Sequence, residues 1–156
     1  MIEVQLLGPD DWQLWRQLRL EALEESAAAF SSKLLEWTGS GDAEERWRAR
    51  LSSVPLNIVL RSNGEPAGMV SAYLRADGTA ELISMWVAPF ARGRGVGNAA
   101  VRAVLDWAES REMMLSVKSD NRPAIALYER HGFVDAGQSP GDADERLMRR
   151  SGGGVI

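Results

Sequence analysis

Cysteine is absent from the 156-residue sequence. That excludes disulfides, thiolate metal sites and cysteine nucleophiles. Histidine occurs once, as His131, so a multi-histidine metal centre is excluded and no metal is expected. No apolar run reaches the roughly 18 residues a membrane span needs, and no membrane partner is expected. The opening residues Met1-Ile2-Glu3-Val4-Gln5 lack the basic region and apolar core of a signal peptide, which points to a cytoplasmic protein. Positive charge is in deficit: 18 Lys and Arg stand against 22 Asp and Glu, for a net −4. General nucleic-acid affinity rests on basic surface, so no nucleic-acid partner is expected.

What remains is ordinary globular material, with 45% hydrophobic and 26% charged residues. The length suits one domain, taken as residues 1–150, followed by a flexible tail over 151–156. Nothing in it excludes a homodimer. Charge is uneven. Glu21, Glu24, Glu25, Glu36, Asp42, Glu44 and Glu45 are opposed in their stretch only by Lys33, whereas Arg92, Arg94 and Arg102 share a stretch without an acid. The first should repel anions and the second attract them.

Apolar spacing supplies the elements. Ile2 to Leu7 reads as a strand. Trp15, Leu18 and Ala22, with Leu14, make a helical stripe after the Gly8-Pro9-Asp10-Asp11 turn. Residues 27–41 are irregular, and Asp42 is the expected cap of a second helix with Ala43, Trp47 and Leu51 on one face. The period then shortens. Strands over 57–61, 68–74 and 80–87 are separated by the hairpin signals Asn63-Gly64 and Asp77-Gly78, giving an antiparallel meander. A helix over 95–111 carries Gly97, Ala100, Val101, Val104, Trp107 and Ala108 on one face. A strand over 113–117 follows. Asp120 or Asn121 caps the next helix, which Gly132 ends, and strands over 133–136 and 146–149 close the chain. This order gives an α/β fold with a mixed sheet and helices on its faces.

The most informative stretch runs from Val87 to Gly97, Val-Ala-Pro-Phe-Ala-Arg-Gly-Arg-Gly-Val-Gly. It ends a strand and opens a helix. Free N–H groups at a helix start, with the helix dipole, bind an anion such as pyrophosphate, and glycine lets the backbone approach it. A Walker loop is excluded for want of Gly-Lys-Ser/Thr. The dinucleotide fingerprint is excluded because Asn98 stands where a glycine is needed.

On these residues the sequence resembles the GNAT superfamily of N-acetyltransferases. Its Gln/Arg-x-x-Gly-x-Gly/Ala signature is met by Arg92, Gly95 and Gly97. The block from Ala80 to Pro89 resembles the family's fourth strand, and Asn121 to Phe133 its second half-site. The resemblance implies a mostly antiparallel mixed sheet with about four flanking helices, and a fourth and fifth strand splayed apart to admit acetyl-CoA. It implies a cofactor site of Met85, Trp86, Val87, Arg92, Gly93, Arg94, Gly95, Val96, Gly97, Asn98, Asn121, Ala124 and Tyr128. The Val87 N–H would face the thioester oxygen, where charge develops during acyl transfer.

By the same resemblance Tyr128 is the general acid for the leaving thiolate, a role that suits a phenol with a pKa near ~10. Packing in the core is the other reading of this tyrosine. Glu81 is the candidate base. On a regular strand it would share a face with Ile83, Met85 and Val87, with Ser84 on the other; the alternative is a solvated strand-end charge. His131 at a helix end is read as structural, with its cation favoured by the dipole. The acceptor is expected to be a small, cationic primary amine, drawn in by the acids of residues 21–45 and contacted by Phe30, Glu36 and Trp37. Two alternatives stand beside it. One is protein N-terminal acetylation, since Ser116 to Phe133 also resembles ribosomal-protein acetyltransferases. The other is a non-catalytic acyl-CoA-binding sensor.

Overall fold

The computed structural model describes residues 1–25 and 34–152. Phe30 and residues 153–156 of the expected tail lie outside that set.

Among the described residues, seven strands form one sheet in the order β1-β2-β3-β4-β5-β7-β6. They are β1 (Ile2–Leu6), β2 (Leu56–Ser62), β3 (Glu65–Leu74), β4 (Ala80–Val87), β5 (Met113–Lys118), β6 (Val134–Ser139) and β7 (Asp142–Arg150). The meander β2–β4 is antiparallel, and its two tight turns use the left-handed conformations that Asn and Gly tolerate, with φ of 51° at Asn63, 84° at Gly64 and 89° at Gly78. β4 and β5 run parallel and pair only at Ala80↔Met113 and Glu81↔Met114. β5 then keeps its full length paired with β7. Beyond Glu81 the sheet therefore opens into two wings, the splay that the resemblance implies.

Among the described residues, four α-helices cover the faces: α1 (Trp12–Glu25), α2 (Glu44–Ser53), α3 (Val96–Ala108) and α4 (Arg122–Arg130). Helix α3 buries Val96, Ala100, Val101, Val104 and Ala108 against Ile58, Leu60, Val70 and Leu82 of the sheet. Its small residues permit a close approach, and so does Gly68 on β3, where a Cβ would sit 2.8 Å from the Trp86 carbonyl oxygen and 3.1 Å from Val96. The other face packs Trp15, Leu18 and Ala22 of α1 and Trp47 and Leu51 of α2 on Val59, Met69 and Trp86. Each buried large side chain is worth roughly 1.5–3 kcal/mol, so both helical stripes follow from their sequence periods.

Three local expectations are corrected. The N-cap of α2 is Ala43, not Asp42, and no side chain caps it. The Asp42 carboxylate instead accepts bonds from Arg16 and from the Trp47 indole at 2.8 Å, tying α1 to α2. Those bonds, Arg16 first, hold its pKa down at about 2. The strand β4 is not regular. Ser71 pairs with Ile83 and Met69 with Trp86, so β4 spends one residue more than β3, and Ser84 sits at φ 55°. This bulge breaks the two-residue alternation. Met85 and Val87 join Ala80 and Leu82 on the α3 face, while Ser84 and Trp86 turn to the α1–α2 face, so Glu81 and Met85 do not share a side. His131 is not favoured as a cation: burial first, then Arg102, Arg130 and Arg150, lower its pKa. Its Nε2 lies 3.1 Å from the Asn98 side-chain oxygen, linking the end of α4 to the first turn of α3.

Candidate functional site

The opening between β4 and β5 is the mouth of a cleft of about 950 Å³. Its walls come from the bulged half of β4, the turn before α3, the first turns of α4, and α1 and α2 beneath.

The turn into α3 passes through a short 3₁₀ segment at Pro89–Ala91 and then through Gly93 and Gly95 at φ 76° and 88°. Gly95 is required by that conformation and not by space, since its Cβ would meet only Ile2, at 3.6 Å. Among the described residues, no backbone amide from 93 to 98 donates to a protein acceptor; the first helical bond there comes from the Ala99 N–H to the Gly95 oxygen. A row of unclaimed N–H groups at a helix start is a seat for an anion. Gly97 faces this seat and the cleft, with Leu127 of α4 and Met85 as its neighbours.

Arg92 serves the turn itself. Its Nε donates to the Val87 oxygen at 3.0 Å and its terminal nitrogen to Glu25 at 2.6 Å. Glu25 also accepts from the Trp86 indole at 2.9 Å. One carboxylate from α1 thus fixes both the end of β4 and the start of the turn.

The β4 backbone presents an open edge. The Ala88 N–H donates to the Ala67 oxygen across β3, at 2.8 Å. Strand alternation turns the preceding Val87 N–H the other way, to the side where β5 has diverged. Across the gap, Asn121 accepts the Ala124 N–H at 3.3 Å and caps α4, and Asn121, Ala124 and Tyr128 line the cleft. Tyr128 packs edge-on against Phe133 with ring centroids 6.0 Å apart. Burial pushes its phenol pKa up, so it is protonated at neutral pH. The tyrosine is a core residue and a cleft residue together.

Glu81 also lines the cleft, at the start of β4. Its Oε1 accepts the Tyr73 hydroxyl and an Arg75 N–H, both at 2.7 Å. Trp37 also lines the cleft, 4.4 Å from Trp47 and covered by the Arg46 guanidinium at 4.3 Å. Glu36 is exposed and lines nothing in the cleft.

The acids of residues 21–45 do not border this end as expected: the acidic side chains lining the cleft among the described residues are Glu81 and Glu145. The inner wall is instead basic, formed by Arg19 and Arg50. Sequence reasoning missed both. The available signal was an arginine inside an apolar stripe, Arg19 one turn beyond Trp15 and Arg50 one turn beyond Trp47. Ser84 and Tyr73 were missed as site residues too, because the bulge that places Ser84 has no local mark.

Among the described residues no cluster of three metal-ligating side chains occurs, and no helix is long and apolar enough to cross a membrane.

Comparison with known proteins shows the family and the fold. The profile of the Acetyltransferase (GNAT) family matches residues 12–133. A putative phosphinothricin acetyltransferase, YwnH of Bacillus subtilis, is 31% identical over 114 residues, covering 66% of this chain and 68% of that protein. The N-alpha-acetyltransferase RimI of Mycobacterium tuberculosis is 36% identical over 78 residues, 47% of this chain and 49% of that protein. Across such curated relatives the matched stretch spans from 20% to 68% of their length. In fold, the chain is similar to a putative acetyltransferase, yncA of Salmonella typhimurium, solved with acetyl-CoA. The TM-score is 0.76 at 20% identity, over 100% of this chain and 96% of that one.

Proposed function

The chain belongs to the GNAT acetyltransferase family, and on that premise we propose that it binds acetyl-CoA and transfers the acetyl group to a primary amine. The observation that carries this reading is the row of unclaimed amides from 93 to 98, set beside an open strand edge in one cleft. The amides and the dipole of α3 take the pyrophosphate. The open edge of β4 takes the pantetheine arm as an added strand, with Asn121 and Ala124 on its far side.

Acetyl transfer makes an amide N–C bond and breaks the C–S bond. The Val87 N–H points into the gap where the thioester oxygen gains charge. Tyr128 gives its proton to the leaving sulfur, and its raised pKa keeps that proton in place until then. The amine must lose a proton, and Glu81 receives it through solvent in the cleft. Its bonds from Tyr73 and Arg75 fix the carboxylate for that task. The amine approaches from the α1–α2 side, past Trp37, and attacks within the ternary complex.

Thiol release from acetyl-CoA over a library of free amines and N-terminal peptides tests the proposal. Turnover with free amines is expected. Turnover with peptides alone would replace it by protein N-terminal acetylation, and tight acetyl-CoA binding without turnover would leave a sensor.

A further inference from the structure

Beneath the β4 bulge the cleft wall contains a cation with no counter-ion among the described residues. Arg50, on the inner face of α2, donates to the side-chain oxygens of Asn57 at 2.8 Å and of Ser71 and Ser84 at 3.2 Å. All three partners are neutral, and no carboxylate lies within ion-pair reach of it among the described residues. Its guanidinium stacks over Trp15, 5.0 Å from the ring centroid. Burial alone moves its pKa, down to about 10, so it keeps its charge at neutral pH.

Arg19 lies in the same wall, only 8% exposed. Its pKa is lowered to about 10 by burial first and then by the charge of Arg50. Two guanidinium groups that repel one another thus face one space. The indole N–H of Trp15, fully buried beside them, meets no acceptor among the described residues. Residues 26–33, Ser-Ala-Ala-Ala-Phe-Ser-Ser-Lys, include no acid. The wall is rich in donors and positive charge. Arg50, largely buried with only neutral partners among the described residues, costs stability unless an anion completes it, which is the situation of a binding site.

Position decides which anion. Arg50 is bonded to Ser84, whose φ of 55° is the strained point of the bulge, and Val87 follows three residues on. The basic wall is therefore on the acceptor side of the reacting atoms, separated by β4 residues from the amides of 93–98. We propose that the acceptor is a zwitterion, an amino acid whose carboxylate docks on Arg50 while its amine faces the acetyl group near Val87. This rests on the acetyltransferase reading and narrows it. The Arg50 N–H groups that its three neutral partners leave over can donate to a carboxylate, and Trp37, half-buried in the cleft lining, supplies apolar surface for a side chain. The Trp37 and Trp15 rings already carry the Arg46 and Arg50 guanidinium groups.

The test is a thiol-release assay on the full chain with acetyl-CoA. The acceptors are the L-amino acids, the amide of each, and the polyamines putrescine and spermidine. An amino acid is expected to exceed its own amide by about 10²-fold in kcat/KM, the loss usual when a buried charge pair is broken. Arg50→Met should reduce that ratio to near unity through KM, with the acetyl-CoA Kd from calorimetry unchanged. If Arg50→Met fails to fold by circular dichroism, Arg50→Lys replaces it. It should keep part of the preference and raise the amino-acid KM about tenfold. Amides or polyamines as the best acceptors overturn the inference, as does a variant that keeps the full preference; the acetyltransferase reading survives both. Failure to bind acetyl-CoA, or no turnover with any amine, overturns both readings together.

Discussion

Replacing Tyr128 by Phe removes one oxygen from the cleft and little else. The ring is 5% exposed and packed edge-on against Phe133, contacts that phenylalanine keeps. No hydrogen bond to the hydroxyl forms among the described residues. The loss of stability should therefore be within about 1 kcal/mol, a shift of a few degrees in Tm. Chemistry should respond much more. A positioned general acid contributes about 10²–10⁴-fold, so kcat should fall by at least about 10²-fold, or about 2.7 kcal/mol of barrier. Acetyl-CoA affinity should hold, because the lost group acts only on the leaving sulfur. The pH behaviour adds a second readout. Burial raises the folded pKa above the unfolded value of about 10, so the folded chain holds this proton more tightly. That contribution to stability is complete below pH ~10 and is lost as pH rises past it. Tyr128→Phe should flatten the alkaline fall in stability measured by urea titration. Steady-state thiol release under saturating acetyl-CoA gives kcat. A variant with full kcat refutes the acid role and leaves Tyr128 a packing residue.

Gly95→Glu places a side chain at φ 88° and a negative charge beside the amides of 93–98. Calorimetry should show acetyl-CoA affinity down by at least about 10²-fold with the far-ultraviolet spectrum retained; unchanged affinity would remove the pyrophosphate seat. Glu81→Gln keeps the bond from Tyr73 and removes the ion pair with Arg75. The kcat should fall about 10-fold or more with acetyl-CoA affinity kept, whereas an unaltered rate assigns proton transfer to another group. Asp42→Asn should cost about 1–2 kcal/mol at neutral pH by weakening the bonds to Arg16 and Trp47. The folded pKa of Asp42 is depressed, so its contribution is present above the unfolded value of about 4 and is lost as pH falls toward about 2. Urea titrations between those pH values should show a shallower acid fall in the variant than in the parent, and identical slopes would contradict the pairing.

Elements specified by local chemistry were readable from the sequence. Asn63-Gly64 and Asp77-Gly78 form the turns that join β2 to β3 and β3 to β4 because few residues adopt positive φ without strain. The apolar stripe of α3 and the Asn121 cap of α4 lie where the periods put them. The bulge in β4 was not readable. Its special residue is a serine, not a glycine, and the register is set by pairing with a strand of matching length. Regular alternation therefore put Glu81 on the wrong side relative to Met85 and Val87. The placement of Asp42 failed for a related reason. An acid before a helix reads as a cap, yet Arg16 and the Trp47 indole, brought near by the packing of α1 on α2, compete for the same oxygens and win.

The two ends of the cleft differ in legibility because they are built differently. The end proposed to take acetyl-CoA is made of backbone, and its constraint falls on neighbouring residues as a glycine spacing that is written in one line of sequence. The acceptor end is made of side chains from α1, α2 and β4, whose meeting is a matter of topology. Charge illustrates the consequence. A net −4 and an acidic run near the N-terminus suggest attraction for cations. Those acids, however, are exposed or already paired, as Glu25 is with Arg92, Asp42 with Arg16 and Glu44 with Arg48. Exposed charges are screened over about 8–10 Å in physiological salt, while Arg19 and Arg50 act across a few ångströms of poorly solvated space. The local field of a cleft can thus oppose the sign of the whole chain. Both ends then attract anions, and an amine enters between them most favourably when it brings a negative group of its own.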